Sequence, residues 1–214
     1  MLFDLCNFNQ FRLISLCNFF YKIISKILVN RIRPLLSKII DPAQVAFVPN
    51  RWITENIVLA LEVIHSFKHM KRKKGCLGIK LDFHKAYDRM EWKFIEQVLK
   101  ALGFDQKFTS LVLQCITTVN YTMLLNGSKG SSFTPSRGLR QGDPLSPYLF
   151  ILANKVLSSM INRVVAQGNI SGAKISNTTP RISKLLYADD VLVFCGAKMS
   201  ELNVLMQCLN TYCT

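Results

Sequence analysis

Lys80-Leu81-Asp82-Phe83-His84-Lys85-Ala86-Tyr87-Asp88-Arg89-Met90-Glu91-Trp92 is the stretch on which the fold turns. Leading into it, Leu77, Ile79 and Leu81 alternate with Gly78, Lys80 and Asp82, the two-residue period of a strand over 76–83. Asp82 therefore stands at the carboxyl end of that strand. Asp88 and Glu91 have the spacing of a capping box, which predicts a helix running to about Leu102 and stopping at Gly103.

A second segment offers matching chemistry. The apolar runs 184–187 and 191–195 are separated by Ala188, Asp189 and Asp190, which predicts a strand, a tight turn and a strand with carboxylates at the tip. Adjacent aspartates in an otherwise apolar hairpin repel each other. Exposure to solvent relieves the repulsion, and so does a bound divalent cation; hard carboxylate oxygens suit magnesium. If the two strand systems are neighbours in one sheet, Asp82 converges on Asp189 and Asp190. Such a set can hold two ions about 4 Å apart. In-line phosphoryl transfer then needs positioning and charge neutralisation, with no protein nucleophile.

Outward from these segments the chain alternates helix and strand signals. Residues 16–40 read as helix on the returns of Ile23, Ile27, Ile32, Leu35 and Ile39, with Pro34 expected to interrupt it. A helix over 55–70, capped by Thr54, leads into the basic cluster Lys68, Lys71, Arg72, Lys73 and Lys74. Residues 106–116 predict another helix. Strand character returns over 119–125, and Asn126-Gly127 signals a hairpin. Ser146-Pro147 supplies a cap and a first-turn proline for a helix to about Val165, and Ser200 caps a last one over 201–213.

Composition sets the outer limits. The 214 residues suit one domain or two small ones, and half of them are hydrophobic, enough for a core. Lys and Arg number 27 against 13 Asp and Glu, a formal charge of +14 that favours a polyanionic partner. Seven cysteines without a CxxC pair fit a reducing intracellular compartment rather than a disulfide framework or a zinc site. His65, His69 and His84 do not form a metal set. The apolar stretch 13–29 is flanked or broken by Arg12, Lys22 and Lys26, too many charges for a membrane span, and Asp4 argues against a signal peptide.

The same residues resemble a reverse transcriptase, in particular the fingers and palm of a plant-type non-LTR (LINE-like) retrotransposon. Residues 12–18 (RLISLCN), with Tyr21-Lys22 and Ser25-Lys26, resemble the family's opening segment. Residues 44–51 (QVAFVPNR), continued by Ile53 and Asn56, resemble the next. Residues 80–92, 138–152 (GLRQGDPLSPYLFIL) and 187–190 (YADD) are similar to three palm motifs in order. The fold this resemblance implies is α+β, a right-hand polymerase with a fingers-like region at 1–75 and a palm at 76–214. The palm is a small antiparallel sheet backed by helices, and the thumb is missing.

The activity the resemblance implies is that of an RNA-directed DNA polymerase. It adds deoxynucleotides to a primer 3′-hydroxyl by two-metal transfer with Mg2+, for which Mn2+ substitutes. Asp82 and Asp189 are the implied principal metal ligands, Asp190 a third acidic group, and Phe83 the donor of a backbone carbonyl. Tyr87 is placed under the incoming sugar, where its ring excludes a 2′-hydroxyl. Gln141 and Gly142 approach the incoming nucleotide and template base, Asp143 braces their loop, and Arg51, Arg137 and Arg140 are candidates for phosphate or template-backbone contact. The implied partners are an RNA template, a DNA primer and a dNTP, with no membrane, at work in the nucleus or cytoplasm. Leu13 replaces a customary Pro, Asn50 a Gly and Lys155 an acidic residue. The family usually continues through a primer-gripping hairpin and a helical thumb, whereas this chain ends 24 residues after Asp190. The isolated chain is thus expected to be weak or inactive. An intron-type maturase and a non-catalytic nucleic-acid-binding remnant are the alternatives.

Overall fold

The computed structural model describes residues 15–69, 75–176 and 178–213. Among the described residues, six helices and five strands follow one another as α1 (Phe19–Ile39), α2 (Ile53–His69), β1 (Cys76–Asp82), α3 (Trp92–Ala101), α4 (Gln106–Thr117), β2 (Tyr121–Leu125), β3 (Ser128–Phe133), α5 (Ser146–Ala166), β4 (Lys184–Tyr187), β5 (Asp190–Gly196) and α6 (Met199–Cys213). This is a mixed α+β fold with small antiparallel sheets backed by helices.

The main sheet has the order β1-β5-β4, with both pairs antiparallel. Alternation along β5 splits its side chains between two hydrophobic clusters. Val191, Val193 and Cys195 pack with Leu157 and Ile161 of α5 and Leu205 of α6. Leu192 and Phe194 join Val63 and Phe67 of α2 on the opposite face. Helices thus cover both faces, and burial on both sides explains why β4 and β5 read as continuous apolar runs rather than as an alternation.

A third cluster lies beyond the sheet. Leu28, Ile32 and Leu36 of α1 meet Ile95 and Leu99 of α3, Val112 of α4 and Leu149 to Leu152 of α5. Helix α5 belongs to two of the three clusters, residues 149–153 to this one and Leu157 and Ile161 to the one with Val191 and Val193. By length and composition it is the one helix among the described residues that would pass for a membrane span. Here it is the central core helix, a feature the reading of 13–29 did not consider.

Several local expectations are corrected. Pro34 lies inside α1 without ending it, because Ile32 and Leu36 on either side are wholly buried in the core. Helix α2 begins at Ile53, so Thr54 lies within its first turn. Helix α3 begins at Trp92, and Glu91 precedes it without a side-chain cap, so Asp88 and Glu91 form no capping box. Residues 84–89 instead form turns, and carbonyls here serve another segment: Gly138 N donates to Met90 O (2.8 Å) and Leu139 N to Tyr87 O (2.8 Å). Ser146 is the first residue of α5 and its buried hydroxyl has no partner; Asp143 Oδ1 instead accepts from Leu145 N at 3.0 Å. The Asn126-Gly127 hairpin forms as expected between β2 and β3, with φ of 49° and 81°. Residues 12–14 and the basic residues 71–74 lie outside the described residues.

Candidate active site

The β1–β5 register places Asp82 directly opposite Asp190. Directly opposed residues of an antiparallel pair share a face, with Cβ atoms about 5 Å apart. Tyr187 pairs with Asp190 across β4 and β5, which leaves Ala188 and Asp189 as a two-residue turn. The three aspartates, 107 and 108 positions apart in sequence, thus gather at one end of the sheet. Asp82 and Asp190 are exposed and Asp189 is half-buried.

A cation already answers this charge. Lys80, two residues before Asp82 and on the same face, places Nζ 3.1 Å from Asp190 Oδ1. Its ammonium is held above the ordinary lysine range by the hydrogen bond and charge of Asp190, with further contributions from Asp82 and Asp189. One amine therefore feels all three carboxylates. Carboxylate oxygens are the donor chemistry a hard divalent cation requires. Among the described residues, however, no group of three or more acidic, His or Cys side chains is drawn close enough to hold a metal ion. The donor types fit, while a preassembled cage is absent among them. The Phe83 carbonyl accepts from Ala86 N at 3.2 Å, closing the turn after β1.

Tyr87 lies beside this cluster. Its ring stacks on Phe150 of α5, with centroids 4.6 Å apart and planes 10° from parallel. Burial pushes its phenol up to about 12, and the negative charge of Asp189 adds to the shift. The phenol is therefore a neutral, fixed surface next to the Asp189 turn.

The 137–144 loop is built from its glycines and one buried carboxylate. Gly138 has φ of 97°, and a Cβ there would stand 2.9 Å from the Asp88 carbonyl oxygen. Trp92 Nε1 donates to the Gly138 carbonyl at 2.8 Å, pinning the loop to α3. Gly142 has φ of 99° and is exposed; Gln141 is half-buried and donates from Nε2 to Asp88 Oδ1 at 3.3 Å. Asp143 accepts from Tyr21 Oη (2.5 Å), Ser25 Oγ (2.6 Å) and Leu145 N, which ties the loop to α1. It is buried inside the protein.

The three arginines differ in what they touch. Arg51 donates to the carbonyls of Asp41 (2.6 Å), Gln44 (2.7 Å), Ile40 (3.0 Å) and Ser37 (3.4 Å), so it closes the carboxyl end of α1. Arg140 lies over the Tyr21 ring at 3.8 Å and donates to the Cys115 carbonyl at 3.1 Å, with its side chain 12% exposed. The template contact expected of these two does not suit guanidinium groups so engaged. Arg137 is the outward one, more than half exposed and 3.2 Å from Glu91.

Sequence reading gave no role to the amide side chains around the turn. Gln44 Oε1 accepts from Ala188 N (3.2 Å), Asn154 Nδ2 donates to Ala188 O (2.9 Å), and Asn56 Nδ2 donates to Leu186 O (2.9 Å). The signal available was an amide set among apolar residues, as in 149–153 followed by Asn154, since buried polar side chains must find partners. Lys80 also went unremarked, although its place two residues before Asp82 puts it on the aspartate face.

The family model described as "Reverse transcriptase (RNA-dependent DNA polymerase)" matches residues 7–214. A 149 kDa uncharacterized protein of transposon TX1 from Xenopus laevis is 26% identical over 98% of this chain and 15% of its own length. The Pol polyprotein of the retrotransposable element R2DM from Drosophila melanogaster is 29% identical over 89% of this chain and 17% of its own. An uncharacterized mitochondrial protein of Arabidopsis thaliana is 57% identical over 31% of this chain and 55% of its own. The chain thus spans a small part of the transposon proteins it matches. Among solved structures, a telomerase from Candida tropicalis superposes over 90% of this chain and 38% of its own with a TM-score of 0.59 at 15% identity, a likeness of fold.

Proposed function

The chain belongs to the reverse transcriptase family, and from that premise we propose that its Asp82–Asp189–Asp190 face joins deoxynucleotides to a primer 3′-hydroxyl on an RNA template. The observation that carries the reading is the register of β1 and β5, which sets Asp82 against Asp190 and next to the Asp189 turn. Residues 1–75 correspond in this reading to fingers and 76–214 to palm, of the non-LTR retrotransposon kind. In this reading the chain works in the nucleus or cytoplasm, as its resemblance to retrotransposon machinery implies.

Asp82, Asp189 and Asp190, with the Phe83 carbonyl, are the groups that would hold Mg2+ or Mn2+. When bound, such ions supply charge neutralisation at the attacking and leaving oxygens. The chain's own residues do the positioning. Tyr87, flat against Phe150, offers a ring edge to the sugar. Gln141 and Gly142 border the nucleotide site, and the positive φ of Gly142 keeps a side chain out of it. Arg137 takes the phosphate contact, since Arg51 and Arg140 are engaged inside the protein. Phosphate contacts of this kind weaken as salt rises.

Primer extension tests the proposal. A DNA primer annealed to an RNA template, supplied with dNTPs and Mg2+, is expected to be extended slowly by the purified chain. Asp82→Ala and Asp189→Ala should each abolish extension. Extension that survives both substitutions would remove these carboxylates from the reaction. A second reading, a nucleic-acid-binding remnant without turnover, draws on the Lys80–Asp190 ion pair and the lack of a preassembled three-donor cluster among the described residues. Binding of the RNA–DNA hybrid with no incorporation at any metal concentration would select it.

A further inference from the structure

The turn carrying Asp189 is built on an unfavourable residue. In a two-residue hairpin loop a first central position with positive φ favours glycine. Here that position is Ala188, with φ of 53°. It is buried, 7% exposed, so water does not supply its backbone hydrogen bonds.

Two side-chain amides supply them instead. Gln44 Oε1 takes the Ala188 N–H at 3.2 Å, and Asn154 Nδ2 donates to the Ala188 carbonyl at 2.9 Å. One comes from the connector between α1 and α2 and the other from the middle of α5. Gln44 is 3% exposed and Asn154 1%. Both are held in turn. Gln44 Oε1 also accepts from Ala46 N at 3.0 Å, and its backbone pairs in parallel with Leu186 of β4. Asn154 Oδ1 accepts from Tyr212 Oη of α6 at 3.3 Å.

The orientation of the Gln44 amide is not arbitrary. Both groups facing Oε1 are N–H donors, so the oxygen and not the NH2 must point at them. The consequence is that Gln44 Nε2 is buried with no partner. An apolar side chain would avoid that penalty. What it would lack is an acceptor for the Ala188 N–H.

We propose that Gln44 and Asn154 are positioning residues which clamp Ala188 from both sides in its left-handed conformation and thereby aim Asp189 at the metal-holding face. The inference rests on the nucleotidyl-transfer reading for its purpose, but the clamp itself is a statement about one peptide turn. Loss of either amide frees Ala188 to leave positive φ, and rotation there carries the neighbouring Asp189 away from Asp82.

The test compares Gln44→Met and Asn154→Leu, each alone and combined with Ala188→Gly. Amide hydrogen exchange followed by NMR reads the clamp directly. The Ala188 amide is expected to exchange at least tenfold faster in Gln44→Met, with Val193 in the middle of β5 unchanged. Mn2+ affinity, read by electron paramagnetic resonance, is expected to weaken about tenfold in either single variant. It should be largely restored when residue 188 is glycine, which holds positive φ unaided. A purely structural role for the amides would not produce that rescue. Unchanged exchange at Ala188 together with unchanged Mn2+ affinity overturns the proposal. Where Gln44→Met does not fold, Gln44→Glu keeps the acceptor, and rapid exchange at Ala188 in that variant overturns it equally. Mn2+ affinity that is the same in Asp189→Asn as in the wild type defeats the nucleotidyl-transfer reading instead, and Ala188 exchange still decides the clamp.

Discussion

Asp143 offers the sharpest single perturbation. Its side chain is 1% exposed, yet it is a carboxylate. It accepts hydrogen bonds from Tyr21 Oη at 2.5 Å, Ser25 Oγ at 2.6 Å and Leu145 N at 3.0 Å, and Arg140 Nη2 stands 3.8 Å away. Replacing it with alanine leaves two hydroxyls and one backbone N–H without this acceptor and removes the negative charge facing a largely buried guanidinium. Hydrogen bonds to a charged group contribute about 1.5–3 kcal/mol each, but neighbours in one network do not add. Breaking a buried charged pair from one side typically costs about 3–5 kcal/mol, which is the expected loss for Asp143→Ala. At about 2–4 °C per kcal/mol for a chain of this size, Tm should fall on the order of 10 °C. Asp143→Asn keeps one acceptor oxygen and should lose about half as much. Thermal unfolding followed by circular dichroism, with urea unfolding alongside, measures both. The Tyr21 phenol provides an independent readout. Burial and its bond to Asp143 hold it well above the ordinary tyrosine range, and in Asp143→Ala it should ionise at lower pH. Equal melting of wild type and Asp143→Ala would refute the bracing role and reopen the question of what this carboxylate binds.

Three further outcomes follow from the same geometry. Gly138→Ala combines a φ of 97° with a Cβ 2.9 Å from the Asp88 carbonyl, and should destabilise by about 2–4 kcal/mol in urea unfolding, whereas Gly103→Ala, where a Cβ meets nothing within 4 Å, should lose only its strain of about 1 kcal/mol. Lys80→Met removes the cation facing Asp190; because the pair is exposed, Mn2+ affinity should rise by about fivefold at most, and a fall would show that Lys80 does not compete for the aspartates. Glu201 is a carboxylate whose burial raises its pKa but whose bonds from Ser171 N, Gly196 N and Ser171 Oγ, with Lys198 nearby, lower it further, so the net folded value lies below the unfolded one. The unfolded chain then binds more protons, and the stability Glu201 contributes is present above about pH 4.5 and lost as pH falls through the folded value. Glu201→Gln should flatten that acid limb in a series of melts between pH 3 and 6.

The sequence carried the elements well where side-chain period and burial agree. The 76–83 alternation, the Asn126-Gly127 turn and the apolar runs about Ala188-Asp189-Asp190 all appear as strand or turn where the pattern put them. It misread the ends of elements where a distant segment claimed the local groups. Asp88 and Glu91 have capping-box spacing, but the carbonyls of Tyr87 and Met90 are taken by Leu139 and Gly138, so the helix starts later. Ser146 has the type of a cap, yet it is the first residue of α5 with its hydroxyl unpartnered, and the backbone N–H that Asp143 Oδ1 accepts is that of Leu145, just before the helix. Arg51 and Arg140 read as surface cations, and nothing in their neighbours foretold the carbonyls that hold them.

By itself, then, the order of residues determined which groups are available: three carboxylates on β-type segments, a glycine-bearing loop, an excess of basic charge and a family signature across the chain. Those properties are local, set by side-chain type and by the two-residue period of a strand. Only the tertiary structure decided that Asp82 faces Asp190, that Lys80 lies against it, and that amides from α5 and from the α1–α2 connector grip Ala188. Register between strands more than a hundred residues apart is fixed by burying Val191, Val193 and Cys195 against α5 and α6, a choice made by the whole core and by no single segment.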